Sequence, residues 1–292
     1  MRLWPYLLLT VAGVAWGFGF PLGKFALREL SPAHLIELRL GLAGVVALPY
    51  ALARPEGRRL LRDWRSWITG GFYGLGFLIQ FEGLARISVS LAALLIGLMP
   101  ALIAVASVFW GERVSPRAWS GVACATLGGV LIALTAGSGG GSLLGVALSV
   151  ISLLVFVGYM WTLRTLKETR DLLAGPAAVL VTGGVTVLAI GLPLYGPPPL
   201  QLGGATWAAV WGGTLVCTVL ATACWQIGAV RAPAASAGVF INMEPLVGAG
   251  IGVAMFGDRM TPLLVGGGVL ILVGSLATVL SHREPETPPT MA

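Results

Sequence analysis

Two stretches decide how this chain folds: ARISVSLAALLIGLMP, from Ala85 to Pro100, and VRAPAASAGVFINMEP, from Val230 to Pro245. Each ends on a proline inside a long apolar segment. Each also carries an arginine at the same distance before that proline, Arg86 in one and Arg231 in the other. The echo continues downstream with Gly111-Glu112-Arg113 before Pro116 and Gly257-Asp258-Arg259 before Pro262. An internal repeat with a broken helix at membrane depth in each copy is the sequence signature of a secondary transporter.

The composition is that of an integral membrane protein. Of the 292 residues, 57% are hydrophobic and only 10% are charged, which is more apolar than a soluble domain of this length requires. The 42 glycines suit close helix packing in lipid. Arginines and lysines lie in short loops between the apolar segments, where they orient the chain, so the net charge of +6 does not indicate a nucleic-acid partner. The cysteines fall in apolar segments and are interpreted as buried thiols: Cys124, Cys217 and Cys224.

Ten apolar segments are each long enough to cross a bilayer, which takes about 20 residues. They lie at residues 4–23, 33–53, 66–84, 89–110, 117–135, 142–163, 173–194, 204–228, 233–257 and 262–281. The loops on the same side of the membrane as the N-terminus carry most of the basic residues, above all the loop RPEGRRLLRDWR after the second segment. Both termini are therefore predicted to be cytoplasmic. The sequence predicts an all-α integral protein of the plasma (inner) membrane with a disordered cytoplasmic tail over residues 282–292.

The repeating unit comprises five of these segments, residues 1–138 for the first copy and 139–281 for the second. Because five is odd, the second copy enters the membrane upside down, and the two form an inverted pair around a central cavity. The connections at 85–88 and 229–232 are very short, which predicts tight antiparallel hairpins between segments three and four and between segments eight and nine. The fifth and tenth segments contain mainly small and aliphatic residues and are expected at the periphery.

Several short motifs resemble those of a known family. They are Ala15-Trp16-Gly17 and Phe18-Gly19-Phe20-Pro21 in the first segment, and two closing motifs, Leu98-Met99-Pro100 with Gly111-Glu112-Arg113 and Met243-Glu244-Pro245 with Gly257-Asp258-Arg259. Over residues 4–281 the chain resembles the drug/metabolite transporter superfamily in its ten-helix form with two EamA-type repeats. The resemblance implies a multi-pass bacterial transporter with a central cavity, commonly an exporter of amino acids or related small metabolites. Asp258 departs from the glutamate that is common in the closing motif.

Glu244 is the sharpest functional signal. It lies in the ninth predicted segment, where a carboxylate costs about 2.5–3.5 kcal/mol on membrane-insertion scales. Pro100 and Pro245 cannot donate to the carbonyls one turn before them, which are then expected to find partners in a wet cavity. Two interpretations of Glu244 stay open: it binds a substrate ammonium group or a proton, or it is a buried carboxyl that ties helices together. Asn242, on another face of the helix, is expected to join neighbouring helices.

Four predicted segments carry aromatic or polar residues at helical spacing. The stripes comprise Trp16 and Phe20; Tyr73, Phe77 and Gln80; Ser149, Ser152, Phe156 and Tyr159; and Thr214, Thr218, Thr222 and Trp225. They predict a shared cavity suited to a small zwitterion, since aromatic rings contact an apolar side chain and hold a cation. The predicted substrate-binding set is Trp16, Phe20, Tyr73, Phe77, Gln80, Pro100, Phe156, Tyr159, Thr218, Thr222, Trp225, Glu244 and Pro245. Anchoring at the membrane interface is expected for Trp4, Trp64, Trp67, Trp119, Trp161 and Trp207.

His34 and Glu37 lie at the outer end of the second segment and are close enough in sequence to share a helix face. Two interpretations stay open: a pH-sensitive outer gate, or a structural polar cluster with Arg39 near the lipid headgroups. Glu82 is expected to pair with Arg86, four residues further on. Helix-end capping is the expectation for four more charged residues: Glu112, Arg113, Asp258 and Arg259.

Three functions compete. The favoured one is a secondary transporter that exports amino acids or related metabolites by alternating access; the chain has no GxxxxGK[ST] motif, so ATP is not its direct energy source. The alternative is a polyspecific carrier of cationic drugs or quaternary ammonium compounds. An intramembrane enzyme is least favoured, because there are only two histidines and no HExxH or GxSxG motif. No cofactor or metal is expected, the expected partners are a small-molecule substrate and the lipid bilayer, and the choice between monomer and homodimer stays open.

Overall fold

The computed structural model describes residues 3–109, 111–112, 114–135, 141–166, 169–232 and 239–281. Within these ranges the chain is helical, and the one β feature is an isolated bridge between Ile87 and Gly141. Some of the predictions concern residues outside the described ranges. These are the disordered tail at 282–292, the first part of the ninth segment at 233–238, and the basic residues Arg2, Arg113, Lys167 and Arg283.

The helices follow one another in two series of similar layout. The first series is α1 (Trp4–Gly17), α2 (Gly19–Ala26), α3 (Pro32–Ala53), α4 (Pro55–Arg62), α5 (Trp64–Leu84), α6 (Val89–Ile96), α7 (Met99–Phe109) and α8 (Pro116–Ala133). The second series is α9 (Leu143–Arg164), α10 (Ala174–Tyr195), α11 (Gly204–Trp211), a π-helix (Gly212–Leu220), α12 (Ala221–Ala229), α13 (Met243–Phe256) and α14 (Pro262–Ser281). Consecutive pieces such as α1 and α2 form one membrane-length segment.

Eight helical segments among the described residues are long and apolar enough to cross a membrane: Trp4–Ala26, Pro32–Ala53, Val89–Phe109, Leu143–Arg164, Ala174–Tyr195, Gly204–Ala229, Val239–Phe256 and Pro262–Ser281. Two further helices, α5 and α8, have 21 and 18 residues but fall outside this set. Charged and polar side chains such as Arg65, Glu82 and Arg117 make these two less apolar. The chain is therefore a multi-pass membrane protein, and the full count of ten spans stays a prediction.

The basic connection after α3 is a helix, α4, although the sequence predicts a loop there. It begins at Pro55, where a proline fits because the first helical residues need no amide donor. Leu60 is buried and packs against Ala174 and Ala178 at the start of α10. Since the arginines of α4 lie on the opposite side from Leu60, the segment is a short amphipathic helix against the end of the bundle.

The two breaks lie before the prolines of the repeated stretches. Between α6 and α7, the amides of Gly97 and Leu98 turn back to Leu94 and Leu95, each at 3.0 Å, and Pro100 then stands in the first turn of α7. In the second copy the break comes at Asn242, and Pro245 stands in the first turn of α13. The prolines thus begin the second half-helix instead of interrupting a continuous helix, because their missing donor costs nothing at a helix start.

The predicted tight hairpin between segments three and four is wrong, and the one between segments eight and nine falls partly on residues 233–238, outside the described residues. After the short connection at 85–88, α6 leaves α5 and packs mainly against α13, while α1 packs against both α12 and α13. The physical reason is a close α6–α13 crossing built from small residues. A Cβ on Gly248 would lie 2.7 Å from the Cβ of Ala93, and the Ser90 hydroxyl donates to the Ala249 carbonyl at 3.1 Å.

The main helix contacts are reciprocal between the two series. α3 packs against α10, α8 against α14, and the broken pair α6–α7 meets α13 through α6. α5 packs against α9, and α12 packs against α1. When each membrane-length segment is exchanged for its counterpart in the other series, every one of these contacts maps onto itself or onto another of them. An inverted repeat with a two-fold axis would produce this pattern.

α8 and α14 pack face to face through glycines. Cβ atoms on Gly121 and Gly128 would lie 2.6 and 2.5 Å from the carbonyl oxygens of Gly274 and Gly267. Such close backbone approach is how helices associate in lipid, where no hydrophobic effect drives them together. The opposite faces of both helices expose aliphatic side chains: Leu127, Val130, Val269 and Val273. The pair therefore lies at the edge of the bundle.

Candidate central cavity

A cavity of about 270 Å³ lies between the two series of helices. Ten of the thirteen residues predicted to bind substrate contribute to its wall: Trp16, Phe20, Tyr73, Phe77, Gln80, Phe156, Tyr159, Thr222, Trp225 and Glu244. The structure thus brings together side chains from α1, α2, α5, α9, α12 and α13. The remaining three, Pro100, Thr218 and Pro245, are buried and do not line it.

Aromatic rings form most of the wall in two groups. Tyr73, on α5, contacts Phe77 and Tyr159 with ring centroids 5.0 and 5.2 Å apart, and Phe77 also contacts Phe156 at 5.2 Å. Gly76 makes this possible, because a Cβ there would lie 2.8 Å from the Phe156 ring. In the second group, Trp16 and Trp225 are 5.3 Å apart. Edge-to-face and tilted packing of this kind makes a stable apolar wall.

Glu244 stands in the first turn of α13, at the break of the ninth segment. Its side chain is partly accessible and faces the cavity. Among the described residues its carboxylate has no hydrogen-bond partner. The N-terminal end of a helix, where the backbone amides are free, favours a negative charge. This offsets part of the cost of placing a carboxylate at membrane depth.

Arg39 is a cavity residue that the sequence prediction placed elsewhere. The sequence interpretation grouped it with His34 and Glu37 near the headgroups, but its side chain is only 4% exposed and lies in the cavity wall. The guanidinium lies over the rings of Phe77 and Phe81, with centroid distances of 5.2 and 5.4 Å. An arginine inside an apolar segment was itself the available signal, since intramembrane charges mark functional positions.

The π-helix holds Arg39 in this position. The hydroxyl of Thr218 accepts a hydrogen bond from Arg39 Nε at 3.0 Å and donates to the Gly213 carbonyl at 2.8 Å. A π-helix has one residue more per hydrogen-bonded turn than an α-helix, so it presents Thr218 to α3 while keeping its own backbone satisfied. Gly213 lies beside the arginine, and a Cβ there would stand at an ordinary contact distance of 3.5 Å from Arg39 Cδ. Thr218 therefore supports the cavity from behind Arg39.

The other polar residues of the predicted stripes are buried between helices. Ser149 and Ser152 donate to the carbonyls of Gly145 and Ser149, and Thr214 donates to that of Arg39. These hydroxyls satisfy themselves on nearby backbone, as is usual for serine and threonine in membrane helices. They lie outside the cavity wall.

The pair predicted as a possible gate also lies outside the cavity wall. The His34 ring is 3.3 Å from the Tyr195 carbonyl at the end of α10. Glu37 is 1% exposed, its two carboxyl oxygens have no hydrogen-bond partner among the described residues, and its side chain packs against Gly191. Both residues therefore sit at the α3–α10 contact.

The cavity extends toward the end of the bundle that carries α4. Its wall continues to Met160 and Leu163 near the end of α9, to Pro176 near the start of α10, and to Gln226 in α12. The connection between α9 and α10 is joined to α4 by hydrogen bonds. For example, the Asp171 amide donates to the Glu56 carboxylate at 2.9 Å.

Polar contacts between elements hold the opposite end. Lys24 Nζ donates to the carbonyls of Leu84 and Ile87, each at 2.7 Å, which places its charge at the negative C-terminal end of α5. Asp258 Oδ2 accepts from the Ser90 amide at 2.7 Å. Asp258 thus caps α6, a helix of the other series, and not its own helix.

Glu29 adds another contact at this end, to the start of α11. Its carboxylate accepts from the Thr206 hydroxyl at 2.6 Å and from the Gly203 amide at 2.8 Å. These two hydrogen bonds, the one from Thr206 first, hold the pKa of Glu29 below its usual range. The carboxylate therefore stays ionised. It joins the connection between α2 and α3 to the start of α11 in the second series.

Several further predictions concern helix contacts. Glu82 pairs with Arg86 at 2.5 Å, as expected. Glu112 pairs with Arg164 of α9. Asn242 accepts from Ser275 at 2.7 Å and so joins α14. The tryptophans expected at the interface are mostly exposed: Trp4, Trp64, Trp67, Trp119 and Trp161; Trp207 is partly buried against the core.

Metal-binding clusters are absent from the part of the chain that the structure describes: no three His, Cys, Asp or Glu side chains gather there. The polar groups in the cavity wall include the Thr222 hydroxyl, the Gln80 and Gln226 amides, the tyrosine hydroxyls, and the ionisable side chains of Arg39 and Glu244.

Comparison with known proteins supports a transporter. Residues 3–134 match the model of the EamA-like transporter family. The chain is 27% identical, over 96% of its length and 95% of the relative, to the uncharacterized transporter YyaM of Bacillus subtilis (strain 168). An uncharacterized transporter of Archaeoglobus fulgidus is 26% identical over 94% of this chain and 97% of its own. A solved crystal structure shares the fold, with a TM-score of 0.65 at 23% identity over 95% of this chain and 96% of that one.

Proposed function

We propose that this chain is a secondary transporter that exports amino acids or related small metabolites across the plasma (inner) membrane of a bacterium by alternating access. The EamA-like match and the transporter relatives support a membrane transporter. The observation that carries the narrower proposal is the cavity between the two series of helices, whose wall combines aromatic rings with a carboxylate at a helix start. Such a wall suits a small molecule with an apolar part and an ammonium group.

The proposal includes the inverted architecture. The reciprocal helix contacts support two five-span repeats, residues 1–138 and 139–281, related by a two-fold axis in the membrane plane. An odd number of spans per repeat inverts the second copy, and the basic residues around α4 support a cytoplasmic position for both termini. In this orientation the cavity extends toward the cytoplasm, and Lys24, Asp258 and Glu29 hold the outer side closed.

Alternating access requires that these outer contacts break while contacts at the α4 end form. The breaks before α7 and α13 are natural hinges, because each lacks continuous helical hydrogen bonds. His34 and Glu37, at the α3–α10 contact, remain candidates for a pH-sensitive outer gate. Energy comes from a gradient, and both proton coupling through Glu244 and uncoupled diffusion fit this site.

A cation carrier for drugs or quaternary ammonium compounds is the second candidate. The observation that favours it is again Glu244, since a carboxylate among aromatic rings also attracts permanent cations. A competition panel of amino acids against quaternary ammonium dyes separates the two candidates. An enzymatic function is disfavoured, because the relatives of this chain are named as transporters.

The test uses purified full-length protein in proteoliposomes loaded with radiolabelled amino acids, aromatic and branched members included. Glu244→Gln keeps the size of the side chain and removes its charge. We expect efflux to fall about tenfold or more, because a charge-assisted hydrogen bond to the substrate is lost. Glu82→Gln, at the outer helix end, is the matched control and should transport normally. Unchanged efflux with unchanged pH dependence in Glu244→Gln would assign Glu244 a purely structural role.

A further inference from the structure

Arg39 is held with its donors turned to the cavity. Thr218 accepts from Nε, and the guanidinium carbon lies over the rings of Phe77 and Phe81. Among the described residues, the two terminal nitrogens have no hydrogen-bond acceptor. A guanidinium presents its five donors in a rigid planar fork and is almost never buried without acceptors. The free part of this fork therefore requires an acceptor from the cavity contents.

Glu244 does not supply that acceptor. The two side chains line the same cavity and attract each other electrostatically, yet no hydrogen bond or ion pair within 4.0 Å joins them among the described residues. A direct pair would neutralise both charges and fill the site. The observed separation leaves one positive and one negative pole in the wall of a small apolar cavity.

We propose that Arg39 binds the carboxylate of the transported molecule and makes the cavity selective for carboxylate-bearing substrates. This rests on the proposed transport function and extends it to a specificity-determining residue. The guanidinium fork matches a carboxylate with two parallel hydrogen bonds, which adds geometric selectivity to the attraction. A substrate that also carries an ammonium group places it toward Glu244, and the aromatic rings contact the side chain.

The same charge excludes simple cations. Arg39 is fixed in an apolar wall, where charges interact more strongly than in water, so a molecule that carries only positive charge is repelled from half of the site. A quaternary ammonium compound brings no acceptor for the free nitrogens of Arg39. The cavity therefore favours zwitterions and acids over monocations, which separates the two candidate functions on the basis of one residue.

The experiment measures binding of three matched ligands to purified full-length protein by thermal stabilisation and by competition in the transport assay. L-Phenylalanine has both charged groups, 2-phenylethylamine lacks the carboxylate, and 3-phenylpropionate lacks the amine. We expect Arg39→Gln to weaken phenylalanine and phenylpropionate about tenfold or more and to leave phenylethylamine unchanged or tighter. Arg39→Lys should recover part of the affinity. Arg86→Gln, at the outer surface, is the control and should match the wild type.

Glu244→Gln gives an independent readout if Arg39→Gln does not fold. With the negative pole removed, phenylpropionate should bind at least as well as phenylalanine, and phenylethylamine should be lost. An equal loss of all three ligands in Arg39→Gln, or an unchanged ratio of acid to amine, overturns the proposal. So does tighter binding of phenylethylamine than of phenylpropionate in Glu244→Gln.

Two further outcomes separate the inference from the transport proposal. If the wild type moves no amino acid but binds phenylpropionate through Arg39, the amino-acid proposal fails and the role of Arg39 stands. If the wild type moves amino acids and Arg39→Gln keeps the ligand ratios, the amino-acid transport proposal stands and the proposed role of Arg39 fails. Phenyl phosphate is the fourth ligand, because the same fork binds phosphate. Binding of phenyl phosphate about tenfold tighter than phenylpropionate overturns the assignment to a carboxylate.

Discussion

At the scale of single residues, the fold depends on where a side chain has no room. Gly70 and Gly71 are neighbours on α5, but only the first faces another helix. A Cβ on Gly70 would lie 2.6 Å from the Gly183 amide nitrogen of α10, whereas a Cβ on Gly71 meets nothing within 4 Å. The α5–α10 contact therefore requires a glycine at one of these two positions.

We expect Gly70→Ala to destabilise the protein by about 1–3 kcal/mol, since the added methyl forces two backbones apart. Gly71→Ala should leave stability unchanged or raise it by up to about 1 kcal/mol, because alanine favours a helix over glycine. Thermal unfolding of both variants in the same detergent, followed by tryptophan fluorescence, makes the comparison. Equal melting temperatures would show that α5 and α10 are not packed as closely as described.

At the scale of elements, the π-helix connects the backbone of the eighth segment to Arg39. Within it the Thr218 hydroxyl donates a hydrogen bond to the Gly213 carbonyl, five residues earlier. The same hydroxyl accepts from Arg39, so one side chain sets both the local backbone and the direction of the guanidinium. Thr218 is therefore a positioning residue for the cavity.

We expect Thr218→Val to lower the preference for phenylpropionate over phenylethylamine severalfold, because the guanidinium loses the acceptor that fixes its orientation. Thr218→Ser keeps the hydroxyl and should restore the wild-type ratio. Ligand affinities from the same thermal-shift series give the readout, and a ratio unchanged in Thr218→Val would show that the aromatic rings alone position Arg39. A fall in stability without a change in ratio would indicate a structural role only.

At the scale of the whole molecule, the orientation in the membrane decides which way the cavity opens. The α4 end carries the basic residues, and the other end is held by Lys24 and Asp258. The positive-inside rule predicts that α4 lies in the cytoplasm. In this proposed orientation the structure is an inward-facing state.

Single cysteines test this orientation in a background in which Cys124, Cys217 and Cys224 are replaced by alanine. Arg62 in α4 and Arg259 before α14 are both exposed and lie on opposite sides of the proposed bundle. We expect a membrane-impermeant maleimide to label Arg259→Cys in intact cells and Arg62→Cys only after permeabilisation. Labelling in the opposite order would show that the orientation is inverted and that the cavity opens to the outside.

The sequence alone predicts the membrane class, most helix positions and much of the cavity wall. Apolar length and glycine content are local properties, and aromatic stripes at helical spacing reveal which face of a helix is special. Ten of the predicted residues therefore line one cavity. Loop length alone predicts a hairpin between segments three and four, and this prediction is wrong because a short loop fixes the distance between helix ends but not the packing partner of the next helix.

Only the tertiary structure decides what those faces meet. The repeated stretches around Pro100 and Pro245 predict a break in each copy, because a proline in a helix interior loses a backbone hydrogen bond, whereas in the first turn of a helix it loses none. The pairing of α6 with α13, the support of Arg39 by Thr218, and the separation of Arg39 from Glu244 each join residues far apart in the chain. Such contacts depend on three-dimensional packing between helices, and residue spacing along a single segment carries no information about them.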